Sequence, residues 1–137
     1  MRPYSHILDR LRAVGLRPTR QRLALAKLLF DEKDWHVTAE KLHGEALAAD
    51  IRVSLATVYN TLHQFTEAGL LREIAVDASC SYFDTNVSEH HHFFHEGSGH
   101  LEDIAGDRIT VTDLPTPPDG TAVTRVDVVV RIAAVKS

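Results

Sequence analysis

The chain has 137 residues, 44% of them hydrophobic and 25% charged, a formal net charge of −4 and a single cysteine, Cys80. That balance suits one globular domain or two small ones and excludes a disordered or fibrous chain; the lone cysteine excludes an internal disulfide framework and a multi-cysteine zinc site. The charge is uneven: residues 1–27 hold seven Arg or Lys against Asp9 alone, and residues 86–137 hold four basic and eight acidic residues. Indiscriminate nucleic-acid binding is thereby disfavoured, while a local phosphate-contacting surface is not.

Helical spacing opens the chain. Ile7, Leu8, Leu11 and Val14 predict a helix over Ser5 to Val14, stopped by Gly15. Pro18 suits the first turn of a second helix, which Leu23, Leu25, Ala26, Leu28, Leu29 and Phe30 carry to about Phe30. His36 falls in the following loop. Thr38 caps a third helix that buries Leu42, Ala46 and Leu47. Ser54 caps a fourth, with Leu55, Val58, Tyr59, Leu62 and Phe65 along it and Gly69 at its C′ position.

The period then changes to two. Arg72, Ile74 and Val76 alternate with Leu71, Glu73 and Ala75; Asp77-Ala78-Ser79 makes a turn, and Cys80 to Asp84 returns. Helices followed by a hairpin give the winged-helix order, with the fourth helix as the reading helix and the hairpin as the wing. Residues 85–89 read as a hinge, and 91–95, 101–105 and 122–132 as three strands. Leu114-Pro115-Thr116-Pro117-Pro118-Asp119-Gly120 reads as a rigid loop. The expected architecture is α+β: a winged-helix DNA-binding domain over residues 1–84 and a small, β-rich α/β domain over 85–137.

No apolar stretch is long enough to span a bilayer: Val126 to Val135 is broken by Asp127 and Arg131. Arg2, His6, Asp9, Arg10 and Arg12 interrupt any signal-peptide core, so a cytoplasmic location with no membrane contact is expected.

Two groups of residues carry chemistry. The start of the fourth helix offers Ser54, Ala56, Thr57, Asn60 and Tyr59, small and hydrogen-bonding side chains suited to entry into a DNA major groove. The Arg17-Pro18-Thr19-Arg20-Gln21-Arg22 stretch supplies Arg17, Thr19, Arg20 and Arg22 for phosphates. Taken alone, these residues also fit a core tyrosine and a solvated polar face.

Five of nine histidines (His90, His91, His92, His95, His100) fall within eleven residues. His90 and His92 alternate on a strand, so their rings share a side. With His36, Asp84 and Asp103 they make a set of three imidazoles and two carboxylates. Such N/O ligands suit iron(II) or manganese(II), with zinc as a surrogate. His91 faces the other way and is available to a second site with Glu89. His6, His43 and His63 read as surface residues, and Cys80 as a small buried side chain. An exposed polar loop is the alternative for the cluster.

These segments resemble the ferric uptake regulator family along the whole chain. The resemblance rests on Gly15 to Arg22, His36-Val37-Thr38-Ala39-Glu40, Ser54 to Leu62, Gly69-Leu70-Leu71 and His90-His91-His92. It implies a dimeric winged-helix transcription regulator with a C-terminal dimerisation domain. It also implies a regulatory metal site at His36, Asp84, His90, His92 and Asp103, and a DNA-contacting tyrosine at Tyr59. Most relatives hold a zinc with two Cys-x-x-Cys pairs; here His95 and Ser98 stand at the first pair and the second is absent, so no structural four-cysteine zinc is expected. Val126 stands where the family has a late histidine ligand.

These departures resemble the iron response regulator branch. That branch implies an iron- or haem-responsive regulator on AT-rich inverted repeats, with haem at His90, His91 and His92. A peroxide-sensing or manganese- or zinc-responsive repressor would use the same ligands. A metalloenzyme finds no general base in the sequence, and a plain interaction module leaves the histidines unused; an enzyme is not expected.

Overall fold

In the computed structural model, residues 5–31, 35–77 and 80–136 are described. The chain divides into two units, Met1–Val87 and Ser88–Ser137.

The first unit holds α1 (Ser5–Ala13), α2 (Arg20–Phe30), β1 (His36–Val37), α3 (Ala39–Ala48), α4 (Leu55–Glu67), β2 (Arg72–Asp77) and β3 (Cys80–Asp84). Three of its helices, α2, α3 and α4, start at short hydroxyl side chains. Thr19, Thr38 and Ser54 accept from the backbone N–H of Arg22, Lys41 and Thr57, each satisfying a donor that the first turn leaves orphaned. Two glycines stop helices as the sequence predicts. Gly15 (φ +79) and Gly69 (φ +83) take the left-handed conformation. The next amides, Leu16 and Leu70, then reach back to the carbonyls of Leu11 and Phe65 at 2.9 Å.

The core of this unit joins Ile7 and Leu11 of α1 to Leu25, Ala26 and Leu29 of α2, Leu42 and Ala46 of α3, and Val58, Leu62 and Phe65 of α4. Leu47 was expected on that buried face and is instead 54% exposed. Ala39, Leu42 and Ala46 already fill the stripe at positions three and four apart, and the residue after Ala46 turns 100° away from it. Val14 lies just past the end of α1 and is exposed.

A three-stranded antiparallel sheet of order β1-β3-β2 completes the unit. His36 therefore sits on a strand and not in a loop: β1 is only two residues long, too short for a period to show, and it exists because β3 offers it an edge. A register irregularity between Ala75 and Asp77 precedes the β2–β3 turn, whose expected residues Ala78 and Ser79 lie outside the described residues.

The second unit holds β4 (His90–His95), β5 (His100–Ala105), a 3-10 turn (Gly106–Arg108) and β6 (Val129–Ile132). The sheet order is β5-β4-β6, with β4 antiparallel to β5 and parallel to β6. The valine-rich strand expected over 122–132 is confined to its last four residues. The Val128 amide is taken by the imidazole Nδ1 of His91 at 3.1 Å, so a side chain replaces the ladder partner where the strand would extend backwards. The Pro-rich segment is without regular structure, as expected, and turns tightly where Thr121 donates to the Pro118 carbonyl. Among the described residues, no helix of the chain is long and apolar enough to cross a membrane.

Gly106 is held by space rather than by φ. A Cβ there would sit 2.6 Å from the Glu89 carbonyl oxygen, a backbone atom that cannot swing aside. Gly106→Ala is expected to destabilise the chain by about 1–3 kcal/mol, the usual cost of overpacking. A thermal melt beside wild type checks this; an unchanged midpoint would show that the 89–90 backbone gives way freely.

Candidate functional site

In the second unit, strand alternation puts His90 and His92 on one face of β4, with ring centroids 4.6 Å apart. Antiparallel register sets Asp103 of β5 directly opposite His92. Its Oδ1 lies 3.4 Å from His90 Nε2 and 3.3 Å from His92 Nε2. Both histidines are buried, His92 to 1% exposure, while Asp103 is about half exposed.

His90 Nδ1 lies 2.6 Å from the Ser88 carbonyl oxygen, which only accepts, so that nitrogen carries the proton. In the neutral ring Nε2 is then a lone pair facing a carboxylate, an arrangement that a cation between them satisfies. Separations of 3.3–3.4 Å match those between ligands about 110° apart on bonds of about 2.1 Å. The backbone carbonyl behind His90 acts as the outer partner that fixes ring orientation in metal sites. These residues fit a divalent metal.

In the first unit, the β1–β3 register makes His36 and Asp84 direct partners. His36 Nε2 lies 3.4 Å from Asp84 Oδ2, the same ligand-like spacing. Asp84 is buried, and its other oxygen accepts from the Asn86 amide at 2.9 Å, which fixes the carboxylate plane.

His91 faces away from His90 and His92, as the alternation requires, and its Nδ1 is committed to the Val128 amide. The three consecutive histidines therefore do not converge on one ligand from one side. His43 was expected at the surface and is half-buried, its Nε2 2.9 Å from the Val53 carbonyl; His6 and His63 are exposed. Cys80 is only partly buried.

The second candidate surface lies on the first unit. Arg17, Thr19 and Arg20 are exposed at the start of α2, as are Ser54, Ala56, Tyr59 and Asn60 on α4, with Thr57 half-buried. Arg22 is half-buried, and three of the candidate side chains also hold the fold. Thr19 and Ser54 are the helix caps, and Arg22 donates to the Gln64 Oε1 through Nε and Nη2 at 3.2 and 3.0 Å and to the Arg17 carbonyl at 2.9 Å. The Arg22 guanidinium thus ties the basic loop to α4. Two of its five N–H groups are not used by those bonds.

Tyr59, 38% exposed, is not core: it lies off the Val58, Leu62 and Phe65 stripe. Its hydroxyl donates to Glu40 Oε1 at 2.9 Å, and its ring stacks on His63 at 6.4 Å. The hydrogen bond to Glu40 raises the phenol above the ordinary tyrosine range, so it stays a neutral donor. Glu40 and Gln64 position Tyr59 and Arg22, and sequence reasoning gave neither a role. Each lies on another helix from its partner, at separations of 19 and 42 residues, where no local pattern signals it.

A model of the ferric uptake regulator family matches residues 13–128. The peroxide-responsive repressor of Staphylococcus aureus strain Mu50 is 36% identical over 95 residues, which take in 69% of this chain and 63% of that protein. The chain thus spans less than two thirds of the curated relatives it matches. In fold it is similar to the Vibrio cholerae ferric uptake regulator (20% identity, 93% of this chain and 99% of that one, TM-score 0.73). It is also similar to the manganese-containing Pseudomonas aeruginosa ferric uptake regulator (23% identity, 93% and 97%, TM-score 0.69). Both likenesses support the mixed α+β winged-helix architecture.

Proposed function

The chain belongs to the ferric uptake regulator family, and from that premise we propose that it is a dimeric, metal-responsive transcription regulator that binds AT-rich, inverted-repeat duplex DNA. Residues 1–84 form the DNA-binding domain and 85–137 the dimerisation and sensing domain. As a regulator of this family it is not an enzyme and works in the cytoplasm.

The observation that carries this reading is the N/O donor set. His36 and Asp84 of the first unit, and His90, His92 and Asp103 of the second, are assigned as ligands of one regulatory iron(II) or manganese(II), with zinc as a surrogate. A bound metal would supply positive charge for these imidazole lone pairs and carboxylates to coordinate. The chain's own part is to hold those donors. Asn86 fixes Asp84, the Ser88 carbonyl fixes the His90 tautomer, and the β4–β5 register fixes Asp103. On DNA, Arg17, Thr19, Arg20 and Arg22 contact phosphates, and Ser54, Ala56, Thr57, Tyr59 and Asn60 present the reading end of α4.

The narrower assignment is to an iron- or haem-responsive regulator similar to the iron response regulator branch. It rests on the His90-His91-His92 run and the missing cysteine pairs. Since His91 is turned from its neighbours, haem would take ligands from only one side of the strand, and a metal ion suits the buried His90–His92–Asp103 group better. A second reading, peroxide response, is favoured by the 36% identity to the staphylococcal repressor.

Fluorescence anisotropy on a labelled AT-rich inverted repeat at fixed salt separates these readings. Binding by the apo or manganese-loaded protein that haem reverses supports the iron response reading. A switch by manganese(II) alone, with no effect of haem, assigns a metal corepressor. Loss of binding on peroxide, only in the iron-loaded protein, assigns the peroxide sensor. No binding under any condition defeats the regulator reading.

A further inference from the structure

We propose a second divalent-metal site on the opposite face of the β4–β5 hairpin, made by His95, His100 and Glu102, which takes a zinc-class transition cation and staples the second unit. His95 and His100 are direct cross-strand partners at the closed end of the hairpin. Their rings lie 5.4 Å apart, centroid to centroid, and tilted at 42°. Glu102 is two residues along β5 from His100, so alternation puts it on the same face. Its Oε1 is 3.0 Å from His95 Nε2.

The two side chains are hydrogen-bonded at that distance, and they need to part by only about 0.4 Å to reach the spacing of ligands about 110° apart on bonds of about 2.1 Å. The turn that joins the strands is itself held: the Gly99 amide donates to the His95 carbonyl at 2.8 Å, and the His100 amide to Ser98 Oγ at 3.3 Å. The backbone under both histidines is therefore fixed, with the exposed His100 ring beside that of His95. Two imidazoles and one carboxylate, with water completing the sphere, suit zinc(II), nickel(II) or copper(II). The surplus of acid over base in residues 86–137 favours a cation there.

An independent observation gives the site a purpose. Among the described residues of the second unit, Leu101 is the one fully buried apolar side chain; the other buried side chains are His90 and His92. A unit of this size with so small a core is at the limit where disulfides, metals or oligomerisation supply the missing stability. Disulfides are excluded, because the chain's single cysteine is in the other unit, which leaves the proposed dimerisation and a bound cation as the two sources. A cation clamping β4 to β5 at their turn closes the hairpin against fraying. This site shares no residue with the five ligands assigned above and does not rest on that assignment.

The test is zinc(II) stoichiometry on the full chain, by competition with a chromogenic chelator, together with the zinc-induced rise in Tm. H95A/H100A is expected to bind one equivalent fewer than wild type and to lose most of that rise, with its far-UV circular dichroism unchanged because these side chains are partly or fully exposed. Glu102→Gln, which keeps the shape and removes the charge, is expected to weaken that equivalent at least about tenfold. H90A/H92A reports on the other site: loss of an equivalent there, or its retention, leaves the His95 result intact. Zinc uptake by H95A/H100A equal to wild type, or by Glu102→Gln at undiminished affinity, overturns the proposal.

Discussion

Replacing His90 and His92 together by alanine is expected to disconnect DNA binding from metal while leaving the first unit folded. Both rings point at Asp103, and His92 is as buried as the apolar core. If these imidazoles hold the regulatory ion, wild type should change its DNA affinity about 5- to 150-fold on adding manganese(II), the usual range of coupling between sites. The double variant should change less than about twofold. Its affinity as the apo protein should match that of apo wild type, since neither residue lies on α2 or α4. Anisotropy titrations of both proteins with and without manganese(II) measure this directly. Because alanine leaves two buried cavities, H90Q/H92Q should accompany it: the amides fill most of the space yet bind metal far less well. A normal metal response in both variants removes His90 and His92 from the sensing site.

Phe65→Ala is expected to have the largest effect on stability, a loss of about 3–5 kcal/mol in urea unfolding. The Phe65 ring is fully buried beneath α4 and packs against Phe30 of α2 with centroids 6.1 Å apart. Its removal opens a void that neighbouring helices, tied by the Arg22–Gln64 bonds, are not free to close. Leu47→Ala is the control. Leucine at that position is more than half exposed, so the change should stay within about 0.5 kcal/mol. Equal losses in the two variants would mean that α3 packs through a different stripe.

The contrast between Phe65 and Leu47 shows where periodicity informs and where it stops. On α4 the apolar positions 58, 62 and 65 were legible because the stripe is unbroken and capped at both ends by Ser54 and Gly69. On α3 two adjacent apolar residues, Ala46 and Leu47, competed for one place on the stripe, and only packing chose between them. The β4 alternation was legible too, and with it the opposed faces of His91 and its neighbours. The length of β6 was not, because β propensity in a run of valines says nothing about which partner amides are free.

By itself, the sequence determined the capped helix starts, the glycine stops, the winged-helix order and the family, and it singled out the histidines and aspartates that the structure then pairs. These follow from local chemistry: hydroxyls that cap, glycines that take positive φ, and residue types that ligate. Tertiary structure alone decided the pairings. It put His36 on a strand opposite Asp84 and set Asp103 against both His90 and His92. It also hung Tyr59 on Glu40 and joined His95 to His100 and Glu102. Each of these contacts depends on strand register or helix packing, which arise from burying one face of many elements at once and leave no mark at either residue alone.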